Sequence, residues 1–251
     1  MNDTGAIAYF GGHSTFDIVG LTTREEGRYW VAGPASRLEH YERLRTRSPE
    51  RLPTHFIVYP TWLGLDALLG EPLKEATVTD STILGGQTMI AYVADWSALG
   101  TGEKPWTAGA RGVEPLDSVD VADLESEAEH EYELLGARDG DEVVRNDPAP
   151  DGRSVIDGGR SERTTERFSA HLCPGAPAHA IVRLEGPRTA AIHVLAGGEP
   201  TGEFDLGDAG GAWVERTFDV PRQLASARTH IELRMSGGHV TVFHYWFMPS
   251  P

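Results

Sequence analysis

The chain has 251 residues, with 22 basic and 38 acidic side chains and a formal net charge of −16. A surface that negative repels phosphate backbones and anionic lipid headgroups, and the sequence holds no basic patch to override the mean, so nucleic-acid binding is excluded as a reading. Hydrophobic residues make up 39%, with 6 Trp, 7 Tyr and 8 Phe, enough for one large core or two smaller ones; the lone cysteine, Cys173, rules out an intramolecular disulfide.

Residues 1–108 mix β-like runs with helical patterns and are expected to form an α/β domain. FDIVGL (16–21), HFIVY (55–59), EATVTDSTI (75–83) and TMIAYVADW (88–96) read as strands by their β-branched and aromatic content. ASRLEHYERLRTR (35–47) reads as a helix, with Leu38, Tyr41 and Leu44 at helical spacing and Pro49 beyond its end. Asp3 or Thr4 is placed to cap a short helix through GAIAYF. The opening MNDTGAIAYF lacks the basic and long apolar segments of a secretory signal. The most apolar stretch, 55–70, is shorter than the roughly 20 residues of a spanning helix, and Pro60 and Asp66 interrupt it.

Residues 109–160 read as an acidic connector. Between Glu114 and Glu142 lie twelve acids and one base, Arg138, a net of −11. Glu125, Glu127, Glu129, Glu131 and Glu133 occupy every second position. In a strand those carboxylates share one face about 7 Å apart. Such a face needs water, a cation or arginines, which makes Glu125, Glu127 and Glu129 candidate Ca²⁺ ligands; the alternative is a solvated edge that discourages pairing between sheets.

Residues 161–251 are all-β by pattern. Six short runs, at 167–172, 180–186, 190–197, 213–220, 229–236 and 240–248, are separated by PGAP, GGEP, GDAGG and SGG turns. That spacing predicts an antiparallel sandwich of the jelly-roll or immunoglobulin-like kind. In the last run, Phe243, Tyr245 and Phe247 share one face, while His244 and Trp246 share the other. One face belongs to the core. The other either exposes a ring platform for stacking on sugar C–H faces or is buried against another surface. On the platform reading Trp213, Trp246 and His244 are candidate ligand-binding residues, with Asp205 and Arg234 as polar partners.

No H-E-x-x-H, P-loop, G-x-S-x-G, EF-hand or paired C-x-x-C motif is present. His230-Ile-Glu232 begins like a zinc-deaminase signature, but no P-C-x-x-C follows. Asp3, His13 and Asp17 form an alternative polar site, in which an Asp–His pair could do acid–base work; a helix cap and a turn explain the same residues without chemistry.

DTGAIAYFGGHSTFDIVGLT (3–22), THFIVYPTWLGLD (54–66), GGQTMIAYVADWS (85–97) and VDVADLESEAEHEYE (119–133) together resemble extracytoplasmic parts of polytopic bacterial glycosyltransferases. Those enzymes, of the mannosyl- and arabinosyltransferase class, use polyprenyl-phosphate-linked sugars. Asp3, Gly5, Asp17, Gly20 and Leu21 carry the match at the amino end, and FHYWF (243–247) resembles the end of a carbohydrate-binding-like module. The resemblance implies an extracytoplasmic accessory region that holds a glycan acceptor or a membrane-embedded transferase partner. It implies no catalytic residue here, since the family's catalytic acids lie between early transmembrane helices. The rival readings are a free-standing lectin-like module and an enzyme with a non-standard site near Asp17.

Overall fold

The computed structural model describes every residue except 81–84, 108, 111, 136–140, 163, 210–212 and 251, and leaves out the side chains of 162 and 209. The chain divides into two compact units, Met1–Thr101 and Gly102–Pro251. No helix among the described residues is long and apolar enough to cross a membrane.

The first unit opens with three helices, α1 (Ala6–Gly11), α2 (Glu26–Ala32) and α3 (Pro34–Arg47). β1 (His55–Val58), the one-turn α4 (Pro60–Leu63), β2 (Leu69–Thr77) and β3 (Thr88–Ala94) follow. Pro34 opens α3, where its missing N–H costs nothing, and Leu38, Tyr41 and Leu44 are buried as their spacing requires. The strands pair antiparallel in the order β1-β3-β2. Three helices thus precede a small antiparallel sheet, with only the one-turn α4 between its strands, which differs from the alternating helix–strand layers expected.

FDIVGL (16–21) is a turn rather than a strand. The Asp17 carboxylate accepts the backbone N–H groups of Val19 (3.0 Å) and Thr22 (2.8 Å), offering the chain a local alternative to sheet pairing. Gly20 has φ +83° and lies so close to Gly27 that a Cβ would sit 2.0 Å from its nitrogen. The expected strand 75–83 starts earlier, at Leu69, and ends at Thr77; its last positions, 81–83, lie outside the described residues. Helix α1 begins after Gly5, whose N–H donates to Asp3 Oδ1 at 3.3 Å.

The second unit is a β-sandwich. Its elements are β4 (Asp117–Asp120), α5 (Leu124–Glu129), β5 (Glu133–Leu135), β6 (Glu142–Pro148), β7 (Ser154–Glu162), β8 (Thr165–Ala170) and β9 (Ala178–Glu185). β10 (Ala191–Ala196), β11 (Glu199–Asp205), β12 (Val214–Val220), β13 (Thr229–Ser236) and β14 (Val240–Pro249) complete it. One sheet runs β11-β10-β13-β8-β5 and the other β12-β9-β14-β7-β6, with β4 also on β14. All pairs are antiparallel. β13 shows the alternation that places it: Ile231, Leu233 and Met235 are buried, with His230 and Arg234 exposed between them. Phe168, Val182, Leu184, Val194, Tyr245 and Phe247 are among the side chains filling the space between the sheets.

The segment 109–160 is corrected from a connector to a part of this sandwich, supplying β4, β6 and β7 to one sheet and β5 to the other. Of the alternating glutamates, Glu125, Glu127 and Glu129 lie in helix α5, and only Glu133 enters a strand. Asp123 caps α5 by accepting N–H bonds from Glu125 (2.9 Å) and Ser126 (3.2 Å), and Glu, Ser and Ala are poor strand formers. In the helix, Glu127 turns away from Glu125 and Glu129 to pair with Arg160 and to accept the Ala122 N–H at 3.0 Å. Glu131, at φ 53°, reverses the chain and meets Ser169 and Arg228. The shared carboxylate face proposed for Ca²⁺ therefore does not form.

Candidate functional site

β14 is buried along nearly its whole length, on both faces. Tyr245 and Phe247 point into the sandwich core, whereas Trp246 packs with Ala110, Ile181 and Met248 on the outer face of the sheet. The cover comes from the loop that precedes β4: Trp246 Nε1 donates to the Glu103 carbonyl at 3.0 Å. The exposed aromatic platform is thus replaced by a roofed one. A register shift between Val242 and His244 accompanies Phe243, which is fully buried and lies 5.4 Å from the Trp213 ring.

Arg183 locks that roof. It sits on β9 opposite His244 of β14 and Glu215 of β12, and it has no exposed surface. Its guanidinium donates to the carbonyls of Gly102 (2.6 Å) and Lys104 (2.9 Å), to Asp157 Oδ2 (2.5 Å) and to Glu215 Oε1 (3.1 Å). Three indoles surround it, with ring centroids 4.3 Å (Trp106), 4.7 Å (Trp246) and 5.3 Å (Trp213) from its central carbon. Glu215 reaches the loop as well, accepting from Trp106 N, Thr107 N and Thr107 Oγ1 at 2.6–3.1 Å. Gly102 is required by closeness: a Cβ there would lie 2.5 Å from the Ile156 carbonyl oxygen. Burial pushes the Asp157 carboxyl up to about 7, against the opposing pull of Arg183. His244, stacked on Trp246 at 4.2 Å, is held well below the usual imidazole range by burial and then by the Arg183 and His130 charges.

The anchored loop forms one wall of a cleft of about 570 Å³. Glu103, Lys104 and Glu114 line it from the loop, Asp151 and Arg153 from the β6–β7 turn, and Ser118 and Trp246 from the sheet. Arg153 Nε donates to Asp151 Oδ2 at 2.8 Å. The rim thus carries three carboxylates and two cations beside one indole and one hydroxyl, a mixture of donors and acceptors with nearly balanced charge.

The structure brings Trp213, Trp246 and His244 together around Arg183. It does not bring Asp205 or Arg234 to them. Both are exposed on the other sheet, where Arg234 is paired with Glu232 and the Asp205 carbonyl accepts from Arg216. In the first unit, exposed His13 lines a separate cleft of about 930 Å³ with Arg51 and His55, whereas Asp3 and Asp17 do not line it. Asp17 is buried with both oxygens committed to its own turn, so the residues of the alternative polar site make no acid–base pair. Sequence reasoning missed Arg183, Asp157 and Glu215. An arginine inside the otherwise apolar run AIVRL (180–184) is the signal that could have found the first of them.

No known protein-family model matches the chain, and no curated protein matches it. Among solved structures, a family 6 carbohydrate-binding module from Cellvibrio mixtus lichenase 5A, in complex with cellotriose, is 10% identical at a TM-score of 0.34, over 55% of this chain and 99% of that one. A family 43 arabinoxylan arabinofuranohydrolase from Bacillus subtilis is 14% identical at a TM-score of 0.33. That match takes in 43% of this chain and only 24% of the hydrolase. A family 36 carbohydrate-binding module, in complex with calcium and xylotriose, is 11% identical at a TM-score of 0.26, over 42% and 87% of the two chains.

Proposed function

We propose that the chain is a non-catalytic, glycan-holding accessory region, and that the cleft beside Trp246 takes a neutral polyhydroxylated ligand. The observation that carries this is the cleft lining, where three carboxylates, two cations and a hydroxyl stand together beside the buried Trp246. Sugar hydroxyls both donate and accept, so they match such a rim, while a strongly charged ligand meets a like charge on at least one side. The volume lies inside the roughly 300–1,000 Å³ range of small-molecule sites. The buried Arg183 network holds the loop wall before any ligand arrives, which lowers the ordering cost of binding.

The membrane glycosyltransferase as partner, and the extracytoplasmic location, rest on the resemblance of segments 3–22, 54–66, 85–97 and 119–133. A free-standing lectin-like module would use the same cleft without that partner.

A glycan array probed with the full chain tests the reading. The expected result is a restricted set of neutral oligosaccharides, lost in the Lys104→Ala/Glu114→Ala variant and kept in Arg234→Ala. An array with no hit, or hits indifferent to the cleft substitutions, would remove the proposal.

A further inference from the structure

Away from that cleft, three segments of the second unit converge on one point. Asp117 opens β4, His130 ends α5 as its C-cap, and His171 follows β8. His130 Nε2 lies 3.2 Å from Asp117 Oδ1, and His171 Nδ1 lies 3.6 Å from Asp117 Oδ2. One ligand atom from each residue falls within 4.8 Å of both others. Asp117 and Ser118 point to opposite sides of β4, which separates this cluster from the cleft that Ser118 lines.

The hydrogen bonds around the cluster orient its ligand atoms. His130 Nδ1 donates to the Ser126 carbonyl at 2.7 Å, which turns Nε2 toward Asp117. Nε2 stands 3.2 Å from Asp117 Oδ1, a pairing that either a proton or a metal ion can bridge. A histidine whose second nitrogen is fixed by a backbone carbonyl is the usual outer-shell arrangement of metal sites. Asp117 is oriented in the same way, with Oδ2 accepting the His171 backbone N–H at 2.6 Å.

Metal–ligand bonds of 2.0–2.1 Å in a tetrahedron place the ligand atoms about 3.3 Å apart; His130 Nε2 stands 3.2 Å from one Asp117 oxygen, His171 Nδ1 3.6 Å from the other, and the ligand set as a whole lies within 4.8 Å. Two imidazoles and one carboxylate suit a borderline transition metal better than Ca²⁺ or Mg²⁺. The His171 side chain is 39% exposed, so the cluster is open to solvent on that side. A second grouping, Asp120, Asp157 and His244, is also close enough to hold an ion, but Arg183 already occupies Asp157 at 2.5 Å and repels a cation.

We propose that Asp117, His130 and His171 form a binding site for one divalent first-row transition-metal ion. The probe is Zn²⁺ itself. The full chain, stripped with chelator and dialysed against Zn²⁺, should retain one equivalent that excess Ca²⁺ does not displace. Co²⁺ in its place should give the visible absorption of a tetrahedral complex. His171→Ala, a half-exposed position, should weaken Zn²⁺ binding at least about 100-fold, since loss of outer-shell partners alone costs 10–100-fold. Asp117→Asn keeps the side-chain shape and should do the same, so a folding failure in one variant leaves the other to decide. His179→Ala and His193→Ala, at surface Asp and Glu partners, should leave binding unchanged. The proposal is overturned by no retained Zn²⁺, by full retention in His171→Ala and Asp117→Asn, or by ready displacement with Ca²⁺.

Discussion

Replacing Arg183 with methionine is the sharpest test of how the second unit holds its loop. The substitution keeps much of the side-chain length but removes the charge and four hydrogen bonds, two of them to loop carbonyls. Asp157 and Glu215 then lose their shared cation in a buried setting. Breaking a buried ion pair from one side costs about 3–5 kcal/mol. For a unit of this size that corresponds to a fall in melting temperature of roughly 6–20 °C. Arg183→Lys should recover only part of the loss, because an ammonium cannot serve both carboxylates and both carbonyls in fork geometry. Thermal and urea unfolding, followed by tryptophan fluorescence, reads the effect directly because three indoles ring the guanidinium. A loss below about 1 kcal/mol would refute the reasoning, since that is the range of an exposed ion pair. The triple variant Arg183→Met/Asp157→Leu/Glu215→Leu should regain only part of the stability, because it removes the buried charges but leaves the Trp106 and Thr107 N–H groups and the Gly102 and Lys104 carbonyls without their partners.

Asp157 sets a pH dependence. Its folded-state pKa lies above the unfolded value, so its contribution is fully present below about pH 4 and is lost as pH rises through about 7. The slope reaches about 1.4 kcal/mol per pH unit at most, and Asp157→Asn should remove it from a plot of unfolding free energy against pH. His244 acts in the opposite sense. Kept neutral by burial, it favours the fold above about 6.5 and loses that contribution as pH falls. Asp17→Ala should cost about 2–4 kcal/mol by orphaning the Val19 and Thr22 N–H groups, measured by thermal denaturation. Asp205→Ala and Arg234→Ala, both exposed, should change stability by less than about 0.5 kcal/mol in the same assay.

Strand periodicity made most of the carboxy-terminal sandwich legible. The runs at 167–172, 180–186, 190–197, 213–220, 229–236 and 240–248 correspond to β8, β9, β10, β12, β13 and β14, because the alternation of β10, β12 and β13 and the β-branched and aromatic runs of the doubly buried β9 and β14 are both local signals. β11, with its Pro and Gly and its mostly exposed side chains, carried no such signal. β4 to β7 were hidden by acidity: their charges are absorbed by specific partners, as Arg160 does for Glu142, and partners distant in sequence leave no pattern. FDIVGL failed for a different reason, since one aspartate bonding its own backbone outweighed a β-branched run. At the candidate site Trp246 and His244 were readable from the final strand and Trp213 from the start of its own run, whereas Trp106 was not. The charged centre was not, because Arg183 meets Asp157, Glu215 and residues 102–104 only through the fold.

Chemical-shift mapping of the full chain with a glycan selected on the array tests the central claim most directly. The account predicts that the Trp246 indole N–H and the backbone amides of Lys104, Glu114 and Arg153 shift together and saturably, while β13 stays silent. Shifts confined to β13 and its five-stranded sheet, with the Trp246 indole unmoved, would contradict it.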